Sequence, residues 1–514
     1  MAAKIEVKTV PTGEPPPASV GDPCVVVVFG AAGDLSRRKL VPALYDLSNN
    51  GSIAREFAVL GVGSEQMSDD AFRAATREGA VASEDVDEFG EETWRAFAAK
   101  LQYMSGDLTD AATYQEIKNR LNALQSQTGS RANRLFYLST PPSLAPAIVQ
   151  HLHECGLAGE DRGWSRIIFE KPFGHSLESA RALNAKIAQV FQEPQVYRID
   201  HYLGKETVQN ILVFRFGNSL FEPIWNRNFI EYVEVTAAET LGIEHRARYY
   251  EEAGALRDMI ANHLLQLLAL TAMEPPVAFD ADSVREEKVQ VLRSMRPMSH
   301  EEVTTRTVRG QYGDGQLDGQ NLPAYRAEPN VKPDSRTETY VVIEFLIDNW
   351  RWAGVPFYVR TGKRLARKVT EIVVHLKRTP QALFACVPDT HCEPNVIILR
   401  IHPDEGVAIT FGAKKPGTEM MMGSVQMDFR YSTGFGARPA AAYETLLLDA
   451  MQGDATLYTR RDEVEAEWKL IMPILEAWGA RTPEFPNYAA GTDGPEAAAR
   501  MLENHGHHWR PIKR

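Results

Sequence analysis

Two hydrophobic rhythms divide this chain. In the amino-terminal part, short unbroken apolar runs alternate with amphipathic stretches. Val25-Val26-Val27-Val28-Phe29 is a continuous run of β-formers, the pattern of a strand buried on both faces. The same reasoning predicts strands at Phe57–Val62, Leu135–Thr140 and Arg166–Phe169, with helical spacing between them, as over Ala112–Leu124. Strand alternating with helix predicts an α/β, Rossmann-type doubly wound parallel sheet, whose ligands sit at the carboxyl ends of the strands. Three of those ends carry turn or polar chemistry: Gly30-Ala31-Ala32-Gly33-Asp34-Leu35-Ser36, Ser139-Thr140-Pro141-Pro142 and Glu170-Lys171-Pro172-Phe173-Gly174. After the first of these, Leu40, Leu44 and Leu47 share a helical face, and Pro42 fits that helix only near its first turn.

From about residue 205 the rhythm changes. Tyr340–Ile347, Val355–Arg360, Glu371–Leu376, Val396–Ile401, Val407–Phe411 and Val425–Tyr431 read as short strands punctuated by Gly and Pro. They predict an α+β domain with a large, mainly antiparallel sheet. Val425, Met427, Phe429 and Tyr431 fall on one face, and a sheet face without helices over it would suit dimerisation. Glu252–Leu270 reads as a largely buried helix that carries Asp258 and His263 in an apolar setting. At 514 residues the chain exceeds one compact core. The divisions expected are a disordered, proline-rich tail over 1–20, a dinucleotide-binding Rossmann-type domain over 21–200, and an α+β substrate-binding and dimerisation domain over 201–514.

Charge and cysteine usage narrow the function. Acidic residues outnumber basic ones by 68 − 56 = 12, which argues against a nucleic-acid partner. No apolar run reaches membrane-spanning length and no signal peptide is visible, so a cytoplasmic protein is expected. The four cysteines (Cys24, Cys155, Cys386 and Cys392) lack zinc-finger spacing and suit reduced thiols. His391 beside Cys392 is a weak metal hint, and no metal is expected.

Three clusters carry chemistry. Arg198-Ile199-Asp200-His201-Tyr202-Leu203-Gly204-Lys205-Glu206 packs a carboxylate, an imidazole, a phenol and an ammonium into one stretch, as a site for a phosphorylated hydroxy compound would. Satisfied core polars beside a surface Lys/Glu pair would explain it as well. Asp258 and His263, if buried without partners, would cost roughly 1–3 kcal/mol each, so they meet each other, another polar group or a ligand. Arg360, Lys363, Arg364, Arg367 and Lys368 form a basic cluster in an acidic protein, either a solvated loop or an anion pocket. The Gly30 turn lets backbone approach a pyrophosphate at a helix amino terminus, although Gly-x-x-Gly is shorter than the full dinucleotide fingerprint.

Taken in order, these stretches resemble the glucose-6-phosphate dehydrogenase family, bacterial type, from about Val25 to Trp509. They are Gly30–Leu35, Glu170–Gly174, Arg198–Glu206, Arg257–Gln266, Gly354–Lys368 and Ala442–Val464. The resemblance implies oxidation of D-glucose 6-phosphate at C1 to 6-phosphoglucono-1,5-lactone, with hydride passing to NADP or NAD, in the first oxidative step of the pentose phosphate pathway. It makes His263 the general base, suited by an imidazole pKa near working pH, and Asp200 its orienting partner. His201, Tyr202 and Lys205 match phosphate-binding positions. Asp258 and Glu239 match acceptors for sugar hydroxyls, and Lys363 and Lys368 match the lysines brought from the second domain. Lys171 would reach both sugar and nicotinamide, with a cis Lys171–Pro172 bond. Gly30, Ala31, Ala32, Gly33, Asp34, Leu35, Ser36 and Arg37 would wrap the pyrophosphate, and Asp107 and Leu108 would flank the adenine. A homodimer or homotetramer is the family norm.

The chain departs from the family where Gly-x-x-Arg usually follows the second strand: here the run is Gly61-Val62-Gly63-Ser64-Glu65. A carboxylate near the ribose 2′ position favours NAD over NADP, so weakened NADP preference is expected unless Arg37, Arg38 or Lys39 replaces the missing guanidinium. His402 and Asp493 also stand where relatives carry other residues, His402 as a tuned sugar contact at most. Two other readings remain: a dehydrogenase of an unphosphorylated sugar on the same architecture, and a non-catalytic sugar-phosphate sensor, which should lack either Asp200 or His263.

Overall fold

A computed structural model of the protein describes residues 20–128, 132–381, 383–386, 394–434 and 440–512. The tail expected over 1–20 lies almost wholly outside the described residues, as do His391 and Cys392.

Six strands form the first sheet: β1 Val25–Phe29, β2 Ala58–Gly63, β3 Leu101–Ser105, β4 Arg134–Leu138, β5 Ser165–Phe169 and β6 Val196–Arg198. All pair in parallel, in the order β3-β2-β1-β4-β5-β6, so the chain winds outward from β1 in both directions. β1 is buried on both faces, as its unbroken apolar run requires. β1 and β4 are neighbours whose chains leave in opposite directions, and the crevice at their carboxyl ends is where such sheets bind ligands. Gly30 makes the turn there. Its φ is +80°, and a Cβ would lie 2.2 Å from the carbonyl oxygen of Ser139, so no other residue fits without moving β4. The helix after this turn widens over Ser36–Leu40 into a π-turn, in which the Val41 N–H reaches the Ser36 carbonyl five residues back. Pro42 follows at the start of the regular helix Val41–Asn49. The wider turn accommodates an imino ring that lacks an N–H, inside a helix longer than the sequence alone suggests.

The second sheet has nine strands, in the spatial order Ala385–Cys386, Met421–Arg430, Gly406–Lys414, Val396–His402, Val369–Leu376, Ile230–Ala238, Pro356–Gly362, Tyr340–Leu346 and Thr307–Gly310. It is mainly antiparallel. The parallel pairs are Ile230–Ala238 with Pro356–Gly362 and the short edge pair at Ala385–Cys386. Tyr431 is a correction: it starts a short helix, Tyr431–Gly434, and the strand before it begins four residues earlier than expected. Val425 and Met427 lie on an exposed stretch of that strand, 40% and 50% accessible. The main core packs this sheet against the helices that carry Asp258 and His263. Those residues lie in a π-helical segment, Leu256–Leu264, that runs into the helix Leu265–Ala272; the helix expected over Glu252–Leu270 is corrected at its start, because Gly254 at φ +63° breaks it from the turns before.

Candidate active site

The loop after β6 and the π-helical segment meet in a buried centre. Asp200 lies two residues past β6 and is 3% exposed; His263 is 1% exposed. Asp200 Oδ1 accepts a short hydrogen bond from His263 Nδ1 and a second bond, at 3.0 Å, from the Tyr202 N–H. With Nδ1–H held by the carboxylate, Nε2 carries the imidazole lone pair. It faces Lys171 Nζ at 2.8 Å. Lys171 stands on the loop after β5, beside its cis bond to Pro172. The same ammonium donates to the Asp258 carbonyl at 3.1 Å and to Asp258 Oδ1 at 3.3 Å.

The π-turn makes this convergence possible. An i→i+5 spacing brings residues five apart onto one face, and Asp258 and His263 are five apart. In a regular α-helix they would point in different directions. The Tyr202 ring stacks on the His263 imidazole, with centroids 4.3 Å apart and planes at 17°. His201 meets the same imidazole edge-on at 4.6 Å, and Lys205 Nζ lies over the Tyr202 ring at 4.4 Å.

Burial lowers the His263 pKa below 6.5, opposed by the Asp200 charge, so the ring is a neutral acceptor at physiological pH. Burial pushes the Asp200 carboxyl up, but the His263 ring beside it, with the hydrogen bond that it donates and Lys171 beyond, outweighs burial and holds it at about 2. Asp258 is likewise pushed up by burial and held well down by Lys171, Lys363 and Arg246. His201 is kept neutral by burial, with the Lys171 charge adding to the effect.

Glu239 follows the strand Ile230–Ala238 and bonds Lys363, which follows Pro356–Gly362; adjacent strand ends explain the pairing across the sequence. Lys368 is exposed. Burial, with the charges of Lys368 and Lys205, drives the His402 pKa down to about 4, which puts this departure from the family beside the two lysines. The ligand atoms of Asp200, His201 and His263 lie within 4.8 Å of one another.

The cofactor-side residues gather separately, at the ends of β1, β2 and β3. Ser36 is fully buried and its Oγ has no hydrogen-bond partner among the described residues, as a hydroxyl kept for a ligand at the Gly30 turn would be. Arg37 is exposed. Arg38 pairs with Asp34 at 3.6 Å and Lys39 with Asp85 at 2.5 Å. Ser64 and Glu65 are exposed, and the Glu65 carbonyl accepts from Tyr103 at 2.9 Å and Ser105 at 2.8 Å. Asp107 accepts two bonds from Thr109 at 2.8 Å each, and Leu108 is buried.

Some participants escaped sequence reasoning. Tyr249 donates to Asp258 Oδ1 at 3.1 Å. Tyr443 lies parallel to His201 and donates to Glu170 at 3.3 Å; Glu170 also accepts from Tyr137. Tyrosines in helices and strands read as core residues, and nothing in their spacing marks these three. Among the described residues no helix is long and apolar enough to cross a membrane.

The chain matches two family models. Residues 27–210 match the glucose-6-phosphate dehydrogenase NAD binding domain, and 212–510 its C-terminal domain. It is 49% identical over 487 residues to the glucose-6-phosphate 1-dehydrogenase of Aggregatibacter actinomycetemcomitans, covering 95% of this chain and 97% of that one. The Bacillus subtilis enzyme of the same name is 44% identical, with 94% and 98% covered. A solved glucose-6-phosphate dehydrogenase in complex with its substrate glucose-6-phosphate superposes with a TM-score of 0.86 at 34% identity, covering 96% of this chain and 99% of that one. Glucose-6-phosphate 1-dehydrogenase from Mycobacterium avium gives 0.81 at 37% identity, again with 96% and 99% covered.

Proposed function

The chain belongs to the glucose-6-phosphate dehydrogenase family, and on that premise we propose how its own residues carry out the oxidation of glucose 6-phosphate at C1. The observation that carries the reading is the buried Asp200–His263 pair, whose Nε2 lone pair opens onto Lys171 beside His201, Tyr202 and Lys205. His263 Nε2 takes the C1 hydroxyl proton as the C1 hydrogen leaves as hydride, and the C1–O single bond becomes the lactone carbonyl. Asp200 fixes the tautomer and stabilises the imidazolium that forms. His201, Tyr202 and Lys205 hold the phosphate, with Lys368 at the exposed rim. Asp258, Glu239 and Lys363 hold sugar hydroxyls, and Lys171 spans the sugar and the nicotinamide side. When bound, the nicotinamide cofactor supplies the hydride acceptor. Gly30 to Arg37 hold its pyrophosphate, with Ser36 Oγ available to it, while Ser64, Glu65, Asp107 and Leu108 line the adenosine side. Both Asp200 and His263 are present, which a sensor would not need.

The cofactor choice follows from charge. Ser64 stands where a 2′-phosphate would need a cation, the Glu65 carboxylate follows it, and two of the three candidate cations already hold carboxylates. NAD is therefore used at least comparably to NADP. The test is steady-state reduction of each with saturating glucose 6-phosphate. Comparable kcat/KM values support the reading; an NADP preference above about a hundredfold, about 2.7 kcal/mol, overturns it and assigns the 2′-phosphate to Arg37. No turnover of glucose 6-phosphate with either would overturn the reaction itself.

The pH profile tests the base. A base must be neutral to act, and its folded pKa lies below 6.5. Activity is thus full at neutral pH and falls only as pH drops through a value below 6.5. An acid limb of kcat/KM above pH 6.5 would contradict this assignment. We place the protein in the cytoplasm, divided near residue 200, and as a homodimer or homotetramer built through the large sheet.

A further inference from the structure

Asp200 spends Oδ1 on His263 and on the Tyr202 N–H. Its other oxygen, Oδ2, is buried and has no hydrogen-bond partner among the described residues. Leaving a carboxylate oxygen buried and unsatisfied is costly. Asp200 borders a cavity of about 40 Å³, also lined by Glu467 on the helix Arg461–Gly479. A space of that size takes one water or a few.

Glu467 is 3% exposed and has no ion pair among the described residues. Behind it, Lys288 Nζ meets Glu463 at 2.8 Å, both wholly buried, and donates to Gln266 Oε1 at 2.9 Å. Gln266 Nε2 then donates to Glu467 Oε1 at 2.7 Å and to Glu463 at 3.3 Å. One ammonium and two carboxyls are buried together, and the ammonium is taken by Glu463. The second carboxyl avoids an unpaired buried charge by keeping its proton. Burial raises its pKa well above the usual range, and Glu463 and Asp200 add to that. A protonated carboxyl has an O–H to place, and Gln266, itself donating to Oε1, does not take it. An unplaced donor and an unplaced acceptor thus border the same water-sized cavity. Arg198 also lines it, and its buried Nε, without a partner among the described residues, is a second donor. The other charged groups facing it are committed elsewhere: Lys171 to His263 and Asp258, Arg257 to the His175 carbonyl, and Glu170 to its two tyrosines.

We propose that Glu467 is a positioning residue of the base pair: a neutral carboxylic acid that donates to a water in this cavity, which in turn donates to Asp200 Oδ2. This rests on the reading of His263 as the base. A donor at Oδ2 keeps Oδ1 turned to His263. It also weakens Asp200 as a proton acceptor, so the proton from the sugar stays on the imidazole.

The test compares full-length wild type, Glu467→Leu and Glu467→Gln for kcat, KM and the pH profile of kcat/KM with glucose 6-phosphate. Glu467→Leu should lower kcat roughly tenfold with KM changed less than about twofold, because the loss acts in the transition state. With the donor gone, Asp200 also becomes the stronger proton acceptor, so the acid limb should move up by about half a pH unit or more, while the rate falls because Oδ1 is no longer held on His263 and the sugar's proton can pass on to the carboxylate. Glu467→Gln keeps an N–H donor and should restore most of the rate and the position of the limb. Identical limbs in all three proteins would overturn the proposal, since a packing role would lower kcat without moving the limb. An infrared difference spectrum of wild type minus Glu467→Gln decides the matter even if the Leu variant does not fold. A protonated-carboxyl C=O band at neutral pH, lost in the Gln variant, is expected; no such band overturns the proposal. Inactivity of the wild type on glucose 6-phosphate would sink the functional reading alone and leave the infrared result to judge Glu467.

Discussion

His263→Asn should lower kcat by roughly a thousandfold or more, while KM for glucose 6-phosphate stays within about threefold of wild type. Asparagine fills much of the same space and can still hydrogen-bond Asp200, so the buried carboxylate keeps a partner. What is lost is an acceptor for the C1 hydroxyl proton, and that is needed only as the hydride leaves. Asp200→Asn should come close to the same loss by a different route. An amide can donate to Nδ1, which would turn the imidazole to the tautomer with its proton on Nε2 and would remove the charge that stabilises the imidazolium. Because the two residues act as a unit, the double variant should be little worse than the poorer single one. Steady-state kinetics on the three variants, with saturating cofactor, measures this. A His263→Asn protein that keeps more than about a tenth of wild-type kcat would remove His263 from the role of base. Losses that multiply would separate Asp200 from it.

Lys205→Ala is expected to have the second largest effect, and on a different parameter. Lys205 is held over the Tyr202 ring, half-buried, next to the loop that carries Asp200 and His201. A charge-assisted bond to a phosphate contributes about 1.5–3 kcal/mol, so kcat/KM for glucose 6-phosphate should fall roughly 10- to 150-fold. The phosphate lies far from C1, so most of the loss should appear in KM. Some should reach kcat, because the phosphate anchors the sugar against Nε2. Unphosphorylated glucose is the control. Its slow turnover should be the same in wild type and Lys205→Ala, since no phosphate is there to lose. An unchanged KM for glucose 6-phosphate would show that Lys205 does not touch the phosphate. Equal losses on both sugars would point to a disturbed site instead.

Much of this site could be read along the chain because its residues come in short contiguous stretches. Asp200, His201, Tyr202 and Lys205 follow one strand end, and Gly30 to Ser36 follow another. The first sheet was legible for the same reason. Its buried parallel strands are continuous apolar runs, and periodicity needs no tertiary context to be seen. The strands missed are those whose local pattern misleads. Leu101–Ser105 is broken by the polar Gln102 and Ser105, and Val196–Arg198 has only three residues. Ile230–Ala238 sits in the middle of the large sheet yet carries Glu234, which is wholly buried. That carboxylate is satisfied by His375 at 2.6 Å and by the Arg510 N–H at 3.1 Å, residues 141 and 276 positions away. A buried charge becomes acceptable only when distant partners arrive, and no window of sequence contains them.

The sequence by itself determined the fold class and the family and nominated the candidate catalytic residues, because apolar periodicity, turn residues and contiguous motifs are local properties. Only the tertiary structure decided how those residues act together. The π-turn over Leu256–Leu264 places Asp258 and His263 against one ammonium. Burial sets His263 neutral, and the imidazole partner keeps Asp200 charged against the same burial. Glu467 and Asp200 line one cavity although they lie 267 positions apart in the chain. Helix register, dielectric and the pairing of buried polar groups all depend on what packs around a residue, and that is fixed only once the chain has closed on itself.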